Sequence, residues 1–253
     1  MELGLDDRVV LVTGATRGIG REIARAFAAE GARVAITYHS GEEDAVKLAS
    51  ELGSADGTAL ALRYDLADPA GHEAVVGEIV RRWGRLDVLV ANAVHRPPRR
   101  PAGQAFEDVP AEHWVPAVTE NLAGVIATVQ CAVAQMRRRK WGRIVLLSSH
   151  NALGGGPGQE FYGAAKAGLH GLVASLAWDT GRDGVLANVV CPGLTATEQV
   201  LSVLPARIRD QETALTPTGR LSSPAEVANA VVFLCSEANG NISGEAVTVS
   251  GGR

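Results

Sequence analysis

Short apolar runs alternate with amphipathic stretches along the whole chain. The runs are rich in β-branched residues, as buried strands are, and the stretches between them repeat their apolar positions with the period of a helix. We predict strands at residues 8–13, 33–37, 59–64, 86–91, 144–147, 186–191 and 246–249. We predict helices at residues 23–30, 42–52, 73–83, 110–139 and 224–236, and one that begins at about residue 161. Strands that alternate with helices predict one α/β domain over residues 1–253, with a parallel, doubly wound sheet and helices on both faces.

Two segments that follow strands lack a regular pattern. Residues 95–101 include Pro97, Pro98 and Pro101, so they are predicted to form a loop. Residues 194–218 are long and have few clear periods, as substrate lids often do. Ligands of α/β sheets bind at the carboxyl ends of the strands, so both segments are expected to border a site, the second as its lid.

A glycine-rich turn joins the first strand to the first helix. Gly14, Gly18 and Gly20 follow the apolar run directly. Glycine permits a tight turn and a close approach of the backbone to phosphate, and the N-terminus of a helix attracts the anion. The spacing differs from the Gly-x-Gly-x-x-Gly of ordinary dinucleotide-binding folds, but the setting predicts a dinucleotide site.

The end of the second strand indicates which dinucleotide to expect. An acidic residue about 20 residues after the glycines binds the ribose of NAD. Here the strand ends at Tyr38-His39-Ser40, and the first acid is Glu42. Arg17, inside the glycine turn, could instead meet the additional phosphate of NADP, although it could also be a solvated side chain. We therefore predict NADP(H).

Tyr162 and Lys166 are four residues apart, which places both on one face of a helix. A phenol has a pKa of about 10, and a nearby ammonium would lower it toward the value that acid–base catalysis needs. Such a pair can also be two surface neighbours, but Lys166 is one of only three lysines against 21 arginines. Ser149 follows a buried strand and could bond the same substrate oxygen as Tyr162. The three residues predict proton transfer to or from a carbonyl oxygen.

Two further polar residues have two interpretations each. Asn121 lies inside a predicted helix, where asparagine is unfavourable. It either bends the helix or holds a water for a proton relay through Lys166. Asp65, which follows the third strand, either caps the next turn or accepts a hydrogen bond from an adenine amino group.

Composition excludes several classes of protein. A hydrophobic content of 46% excludes disorder, and a net charge of −4 does not favour nucleic-acid binding. No apolar run approaches the roughly 20 residues of a membrane span, and no signal peptide is recognised. Cys131, Cys191 and Cys235 lack metal-ligand spacing, so we expect no metal and a reduced, cytoplasmic protein. The basic run 137–140 is interpreted as a solvated helix end or, alternatively, as a docking patch for an acidic partner.

Over essentially its full length the chain resembles the short-chain dehydrogenase/reductase family. The resemblance rests on Thr13-Gly14-x3-Gly18-x-Gly20, Asp65, Asn92-Ala93, Asn121, Ser149, Tyr162-x3-Lys166, Pro192-Gly193 and Thr197. It implies a Rossmann-type sheet of about seven parallel strands and assembly as a homotetramer.

The resemblance also implies roles for individual residues. Tyr162 would be the general acid, Ser149 would orient the carbonyl, and Asn121 would anchor a relay water. Lys166 would lower the pKa of the tyrosine and bind the nicotinamide ribose. The implied NADP(H)-binding residues are Gly14, Thr16, Arg17, Gly18, Ile19, Gly20, Tyr38, His39, Ser40, Asp65, Leu66, Asn92, Tyr162, Lys166, Pro192, Gly193, Thr195 and Thr197.

Within the family, residues 162–168 and 242–252 are similar to 3-oxoacyl-acyl-carrier-protein reductases. The departures lie around the mouth of the expected site. Val94 stands in place of a glycine, His150-Asn151 follow Ser149, glycines 154–156 form a bend, and Asp183 replaces a basic docking residue. Such changes are typical of a reductase with a different substrate.

The excess of arginine over lysine suggests a GC-rich genome, and the chain is similar to actinomycete ketoreductases of polyketide antibiotics, including the angucycline type. The resemblance implies an NADPH-dependent ketoreductase that acts on a small-molecule ketone. Three alternatives remain open: a fatty-acid-type 3-oxoacyl-acyl-carrier-protein reductase, with the carrier as partner; oxidation of a sugar or steroid alcohol; and a non-enzymatic NADP-sensing protein.

Overall fold

Between residues 2 and 253, which the computed structural model describes, seven parallel strands form one sheet with helices on both faces. The strands are β1 Val9–Val12, β2 Arg33–Tyr38, β3 Ala59–Arg63, β4 Val88–Ala91, β5 Gly142–Leu147, β6 Val185–Pro192 and β7 Ala246–Val249. Their order is β3-β2-β1-β4-β5-β6-β7, with every neighbouring pair parallel. The predicted Rossmann-type, doubly wound α/β fold is confirmed.

The helices occupy the connections between the strands. They are α1 Gly18–Ala29, α2 Glu42–Glu51, α3 Pro69–Trp83, α4 Ala111–Val118, α5 Val125–Arg139, α6 Asn151–Gly154, α7 Glu160–Thr180, α8 Glu198–Val203, α9 Ala206–Leu215 and α10 Pro224–Leu234. Helix α3 begins earlier than predicted because Asp68 accepts a hydrogen bond from the Ala70 amide at 3.0 Å and caps its first turn. The segment 194–218 contains α8 and α9, which its weak periodicity did not predict.

Each face of the sheet buries its own apolar core. Val10 and Val12 of β1 point into the core beneath α1 and α10, while Val9 and Leu11 point into the core beneath α3, α5 and α7. Burial on both faces explains why the strands are continuous apolar runs instead of alternating ones.

The predicted helix over residues 110–139 is interrupted at its centre. A π-helical turn over Thr119–Gly124 joins α4 to α5, and α4 contains Pro116. The stretch has the length and apolar composition of a membrane span. However, Val125 and Val129 of α5 are buried in the core against the sheet. The stretch is therefore a core helix of the α/β domain.

The strand order reverses at β1, whose neighbours are β2 on one side and β4 on the other. In doubly wound sheets a crevice forms outside the carboxyl ends of the strands at such a point, and ligands bind there. The glycine turn follows β1, Asn92 follows β4, and Ser149 lies just after β5. The fold therefore brings these segments to one edge of the sheet.

Candidate active site

A cavity of about 720 Å³ opens at the carboxyl ends of the strands. Ser149 and Tyr162 line it, and so do Pro192, Gly193 and Thr197. Two residues predicted to handle the substrate carbonyl therefore share a cavity with residues predicted to bind the cofactor.

Tyr162 and Lys166 both lie on the buried face of α7. The exposed fraction is 9% for Tyr162 and 2% for Lys166. The Nζ atom of Lys166 donates a hydrogen bond to the carbonyl oxygen of Leu147 at 2.7 Å, and it lies 5.9 Å from the centre of the Tyr162 ring. The helical spacing thus places the ammonium near the phenol, while the end of β5 holds it there.

Burial raises the pKa of Tyr162 above its usual 10, and the Arg96 guanidinium and a hydrogen bond with Ser149 offset part of that rise. Burial also lowers the pKa of Lys166 to about 7, and the Arg96 cation acts in the same direction. The Lys166 ammonium bonds the Leu147 carbonyl, and Arg96 is the cation that offsets part of the rise in the pKa of Tyr162. That Lys166 lowers the pKa of Tyr162 stays a prediction.

Arg96 is the charged residue that the sequence reasoning missed. It lies in the loop over residues 95–101 and lines the cavity together with Ser149 and Tyr162. A signal was present, because the loop is rich in arginine and follows a strand at the ligand-binding edge. Which arginine faces the site depends on the path of the loop, and that path is set by contacts with other elements.

Asn121 lies in the π-helical turn and is fully buried. Its Nδ2 atom donates hydrogen bonds to the carbonyl oxygens of Ala117 at 2.8 Å and His95 at 2.7 Å. Its Oδ1 atom accepts one from the His95 amide at 3.0 Å. The side chain thus competes with the helix for a carbonyl of the preceding turn, and the helix is distorted there. The first of the two interpretations is observed, and the relay water stays a prediction.

Ser149 lies between β5 and the short helix α6. Its Oγ atom accepts a hydrogen bond from the Asn151 amide at 3.2 Å. The hydroxyl lies close enough to Tyr162 to offset part of the rise in the pKa of the phenol. The next residue, His150, lines the cavity, and within the described chain its buried Nδ1 atom has no hydrogen-bond partner. Because the two hydroxyls meet at the cavity, a single carbonyl oxygen can contact both.

The glycine turn forms a cradle that leaves little room for side chains. Gly14 and Gly18 have φ values of +62° and +57°, which favour glycine. A Cβ atom on Gly20 would lie 2.4 Å from the Nδ2 atom of Asn92. That Nδ2 atom donates to the carbonyl oxygens of Thr13 at 2.9 Å and Gly14 at 2.8 Å, which holds the turn against the end of β4. The exposed backbone at the N-terminus of α1 fits the phosphates of a dinucleotide.

The residues expected around the adenosine end lie at the ends of β2 and β3. Arg17 is exposed and directly precedes α1. Asp65 accepts a hydrogen bond from the Ala67 amide at 2.8 Å and lies 3.3 Å from His39 Nε2. Asp65 therefore caps its turn, and the adenine contact stays a prediction. Tyr38 and Leu66 are half-buried, and Ser40 is exposed. Thr16 and Ile19 of the glycine turn are also half-buried, and Ile19 lines the cavity with Ser149 and Tyr162.

The residues that follow β6 lead into the predicted lid. Thr195 donates a hydrogen bond to the Gly193 carbonyl at 3.1 Å. Thr197 caps α8 by accepting one from the Val200 amide at 3.2 Å. Glu198 of α8 forms an ion pair with Arg21 of α1 at 2.6 Å. The base of α8 is therefore tied to α1 across the cleft.

Comparison with known proteins covers nearly the whole chain. A family model described as enoyl-(acyl carrier protein) reductase matches residues 14–253. L-rhamnose 1-dehydrogenase (NAD(P)(+)) of Azotobacter vinelandii is 40% identical, over 98% of this chain and 97% of its own length. Acetoacetyl-CoA reductase of an Acinetobacter species is 38% identical, over 98% of both chains. The 3-oxoacyl-[acyl-carrier-protein] reductase FabG of Aquifex aeolicus is 37% identical, over 100% of this chain and 99% of its own length.

The relatives' names describe oxidoreductases with different substrates, and one name includes NAD(P)(+). The glycine cradle, the doubly wound sheet and the Tyr162–Lys166 pair agree with these matches. The chain belongs to the short-chain dehydrogenase/reductase family, whose members are oxidoreductases that use a nicotinamide cofactor, NAD(P)(H).

Proposed function

We propose that this protein is an NADP(H)-dependent ketoreductase that reduces a ketone of a polyketide-type substrate to an alcohol. The observation that carries the proposal is the meeting of Ser149 and Tyr162 at one cavity, with Lys166 buried next to them. Two hydroxyl groups that converge on one point suit a carbonyl oxygen, on which negative charge develops during reduction.

Tyr162 and Ser149 would act on the substrate oxygen directly. Bound NADPH supplies the hydride for the carbonyl carbon. Tyr162 donates its proton to the oxygen, and because burial raises its pKa, the phenol is still protonated at neutral pH. Ser149 donates a hydrogen bond to the same oxygen and stabilises the developing alkoxide, so its loss costs about 10²-fold in rate.

Lys166 and Asn121 would act behind Tyr162. A lysine with a pKa of about 7 can release and take up a proton near neutrality, which suits a group that restores the tyrosine proton. Asn121 would anchor the water of this relay, and Lys166 would also contact the nicotinamide ribose. The family resemblance implies both roles, and Lys166 and Asn121 are both buried.

The preference for NADP is supported by the surroundings of the ribose site. Burial and the nearby Glu42 carboxylate raise the pKa of the Tyr38 phenol, so Glu42 lies beside that side chain. No acidic residue stands at the end of β2 itself, where a ribose-binding carboxylate would be expected. Arg17 is exposed at the N-terminus of α1, where a phosphate would also meet the helix dipole. The other cofactor contacts that we propose are those implied by the family resemblance.

Three segments supply much of the cavity wall that a substrate would meet. The cavity has a volume of about 720 Å³, and its walls include residues of the loop 95–101, the glycine bend and the segment 194–218. We propose that α8 and α9 within this last segment form the substrate lid. Because cofactor-binding residues also line the cavity, its volume is shared between the nicotinamide end of the cofactor and the substrate.

Docking of an acyl carrier protein is not favoured by the surface near α7. Asp183 forms ion pairs with Lys140 and with Arg137, the latter at 3.0 Å. Arg137 also pairs with Asp179. Part of the basic run 137–140 is thus neutralised within the chain, which favours the solvated helix end over a patch for an acidic partner.

Two other candidates are each favoured by specific relatives. The 40% identity to an L-rhamnose 1-dehydrogenase favours oxidation of a sugar. The 38% identity to an acetoacetyl-CoA reductase favours reduction of a 3-oxoacyl thioester. Sugar oxidation would use Tyr162 as a base. The raised pKa of Tyr162 makes the phenol a better acid than base at neutral pH, which favours ketone reduction over sugar oxidation.

The test compares three substrates with one enzyme preparation. Initial rates are followed by nicotinamide absorbance with a polycyclic aromatic ketone and NADPH, an acetoacetyl thioester and NADPH, and L-rhamnose and NADP+. We expect the aromatic ketone to be turned over fastest, and NADPH to be preferred over NADH. Faster turnover of the thioester or of rhamnose would reverse the order of candidates. Full activity in Tyr162→Phe would remove Tyr162 from the mechanism.

We also propose that the protein is a cytoplasmic homotetramer, as the family resemblance implies. Sedimentation velocity of the purified protein tests the assembly. A monomer at micromolar concentration would refute it.

A further inference from the structure

We infer that the substrate carries an anionic group, a carboxylate or a phosphate, which Arg96 and Arg99 bind beside the reacting ketone. The inference rests on the proposed ketoreductase function and adds the charge of the substrate to it. Neither arginine has a role in the chemistry described above as proton donor, hydrogen-bond donor to the carbonyl or cofactor contact.

Both arginines face the space in which the reaction would take place. Arg96 and Arg99 line the same cavity as Ser149 and Tyr162. The guanidinium of Arg96 is close enough to Tyr162 and Lys166 for its charge to act on both. An anion bound to Arg96 would therefore lie near the carbonyl oxygen held by Tyr162.

The loop that carries the two arginines is held at both ends. Asn121 bonds the backbone of His95 through its amide, at 3.0 and 2.7 Å. Arg100 forms an ion pair with Glu160 of α7 at 2.6 Å. Two prolines between Arg96 and Arg99 restrict the backbone further. The two arginines thus lie on a segment with a constrained backbone, which reduces the conformational entropy that the loop loses when a ligand binds.

The charges of the cavity walls are unbalanced. Among the described residues that line it, the one acid is Glu212, and Glu212 forms an ion pair with Arg253. Within residues 2–253, Arg96 and Arg99 form no ion pair. A chain with a net charge of −4 thus places two uncompensated cations at its active-site cavity. Such a field attracts anions and disfavours cationic substrates.

The phosphates of the cofactor do not account for this charge. The pyrophosphate has its own cradle in the glycine turn at the N-terminus of α1, and the proposed partner of the additional phosphate is Arg17. Arg96 and Arg99 follow β4 instead, and they line the cavity together with Ser149 and Tyr162. The remaining anion is therefore on the substrate.

The test uses matched ketones that differ only in charge. An aryl ketone with a carboxylate and its methyl ester are compared by kcat/KM with NADPH. We expect the acid to be preferred by about 10- to 100-fold, the range for hydrogen bonds to charged groups. Arg96→Gln and Arg99→Gln should each reduce this ratio, and the double variant should bring it near one. Arg138→Gln removes the same charge from an exposed helix end outside the cavity and should leave the ratio unchanged.

The ratio is the decisive quantity because Arg96 also acts on the pKa of Tyr162. Both ketones depend on that tyrosine, so the effect cancels between them. A second pair, acetoacetyl-CoA and the phosphate-free acetoacetyl-N-acetylcysteamine, identifies the source of the anion. Preference for the CoA thioester alone, lost in Arg96→Gln, supports a phosphate on a carrier arm. Preference for the carboxylate ketone supports an acid on the ketone itself.

Failure of the inference is distinguishable from failure of the proposed function. If neutral ketones are reduced and both ratios are near one, the anion site is refuted while the ketoreductase stands. A preference that survives the double variant refutes the assignment to these arginines. If no ketone is reduced, calorimetric titration of the NADP+ complex with the carboxylate and with its ester still tests the anion site. Equal affinities for the two compounds refute the inference. Tighter binding of the carboxylate by wild type, and equal binding by the double variant, support it.

Discussion

Lys166 is expected to make the stability of the folded protein depend on pH between neutrality and pH 10.5. Its pKa falls from the usual 10.5 to about 7 because the side chain is buried. In that window the unfolded chain binds a proton that the folded chain has released. The free energy of unfolding therefore rises with pH, and the contribution is lost as the pH falls through 7. The Lys166→Met variant keeps the length of the side chain and removes the titration.

The size of the effect follows from the shift of the pKa. One pKa unit is worth about 1.4 kcal/mol, so a fall from 10.5 to about 7 corresponds to about 5 kcal/mol. Solvent screening is small because Lys166 is 2% exposed. The hydrogen bond to the Leu147 carbonyl at 2.7 Å stabilises the ammonium, so we expect about 3 to 5 kcal/mol across the window.

Urea unfolding of cofactor-free protein at several pH values measures this dependence. The quantity of interest is the difference in unfolding free energy between wild type and Lys166→Met, because it cancels the titration of groups common to both. As the pH rises, the unfolding free energy of wild type should increase relative to that of Lys166→Met. Lys47→Met, at an exposed position of α2, is the matched control and should show no such trend. Parallel curves for wild type and Lys166→Met would show that the ammonium keeps its usual pKa, and the reasoning would be refuted.

Three further outcomes are expected. Asn121→Ala removes the side-chain partner of the buried Ala117 carbonyl and of the half-buried His95 amide and carbonyl, so urea unfolding should show a loss of about 3 kcal/mol. A loss below about 0.5 kcal/mol contradicts the role. Gly20→Ala should abolish NADP+ binding in calorimetry, because its Cβ would meet Asn92 at 2.4 Å, whereas Gly77→Ala, in open space, should bind normally. Arg96→Gln should move the alkaline fall of kcat to higher pH, because Arg96 holds down the pKa of Tyr162; an unchanged pH profile would show that its charge does not reach the phenol.

The sequence by itself determined the order of the strands and the class of the fold. Strands buried on both faces require continuous apolar runs, and the glycines and prolines between those runs mark where elements stop. The four-residue spacing of Tyr162 and Lys166 also determined that they share one face of α7, since that relation depends on helical geometry alone. These properties are local, because each depends only on residues that are close together in the chain.

Only the tertiary structure decided how the site is charged and held. The Leu147 carbonyl that binds Lys166, and the His95 backbone that binds Asn121, come from other segments of the chain. Burial then sets the direction of each pKa, raising that of Tyr162 and lowering that of Lys166. The approach of Arg96 to both depends on the path of a loop anchored elsewhere. Such contacts join residues that are far apart in sequence, and the desolvation of a group depends on everything packed around it. Neither can therefore be predicted from a local sequence pattern.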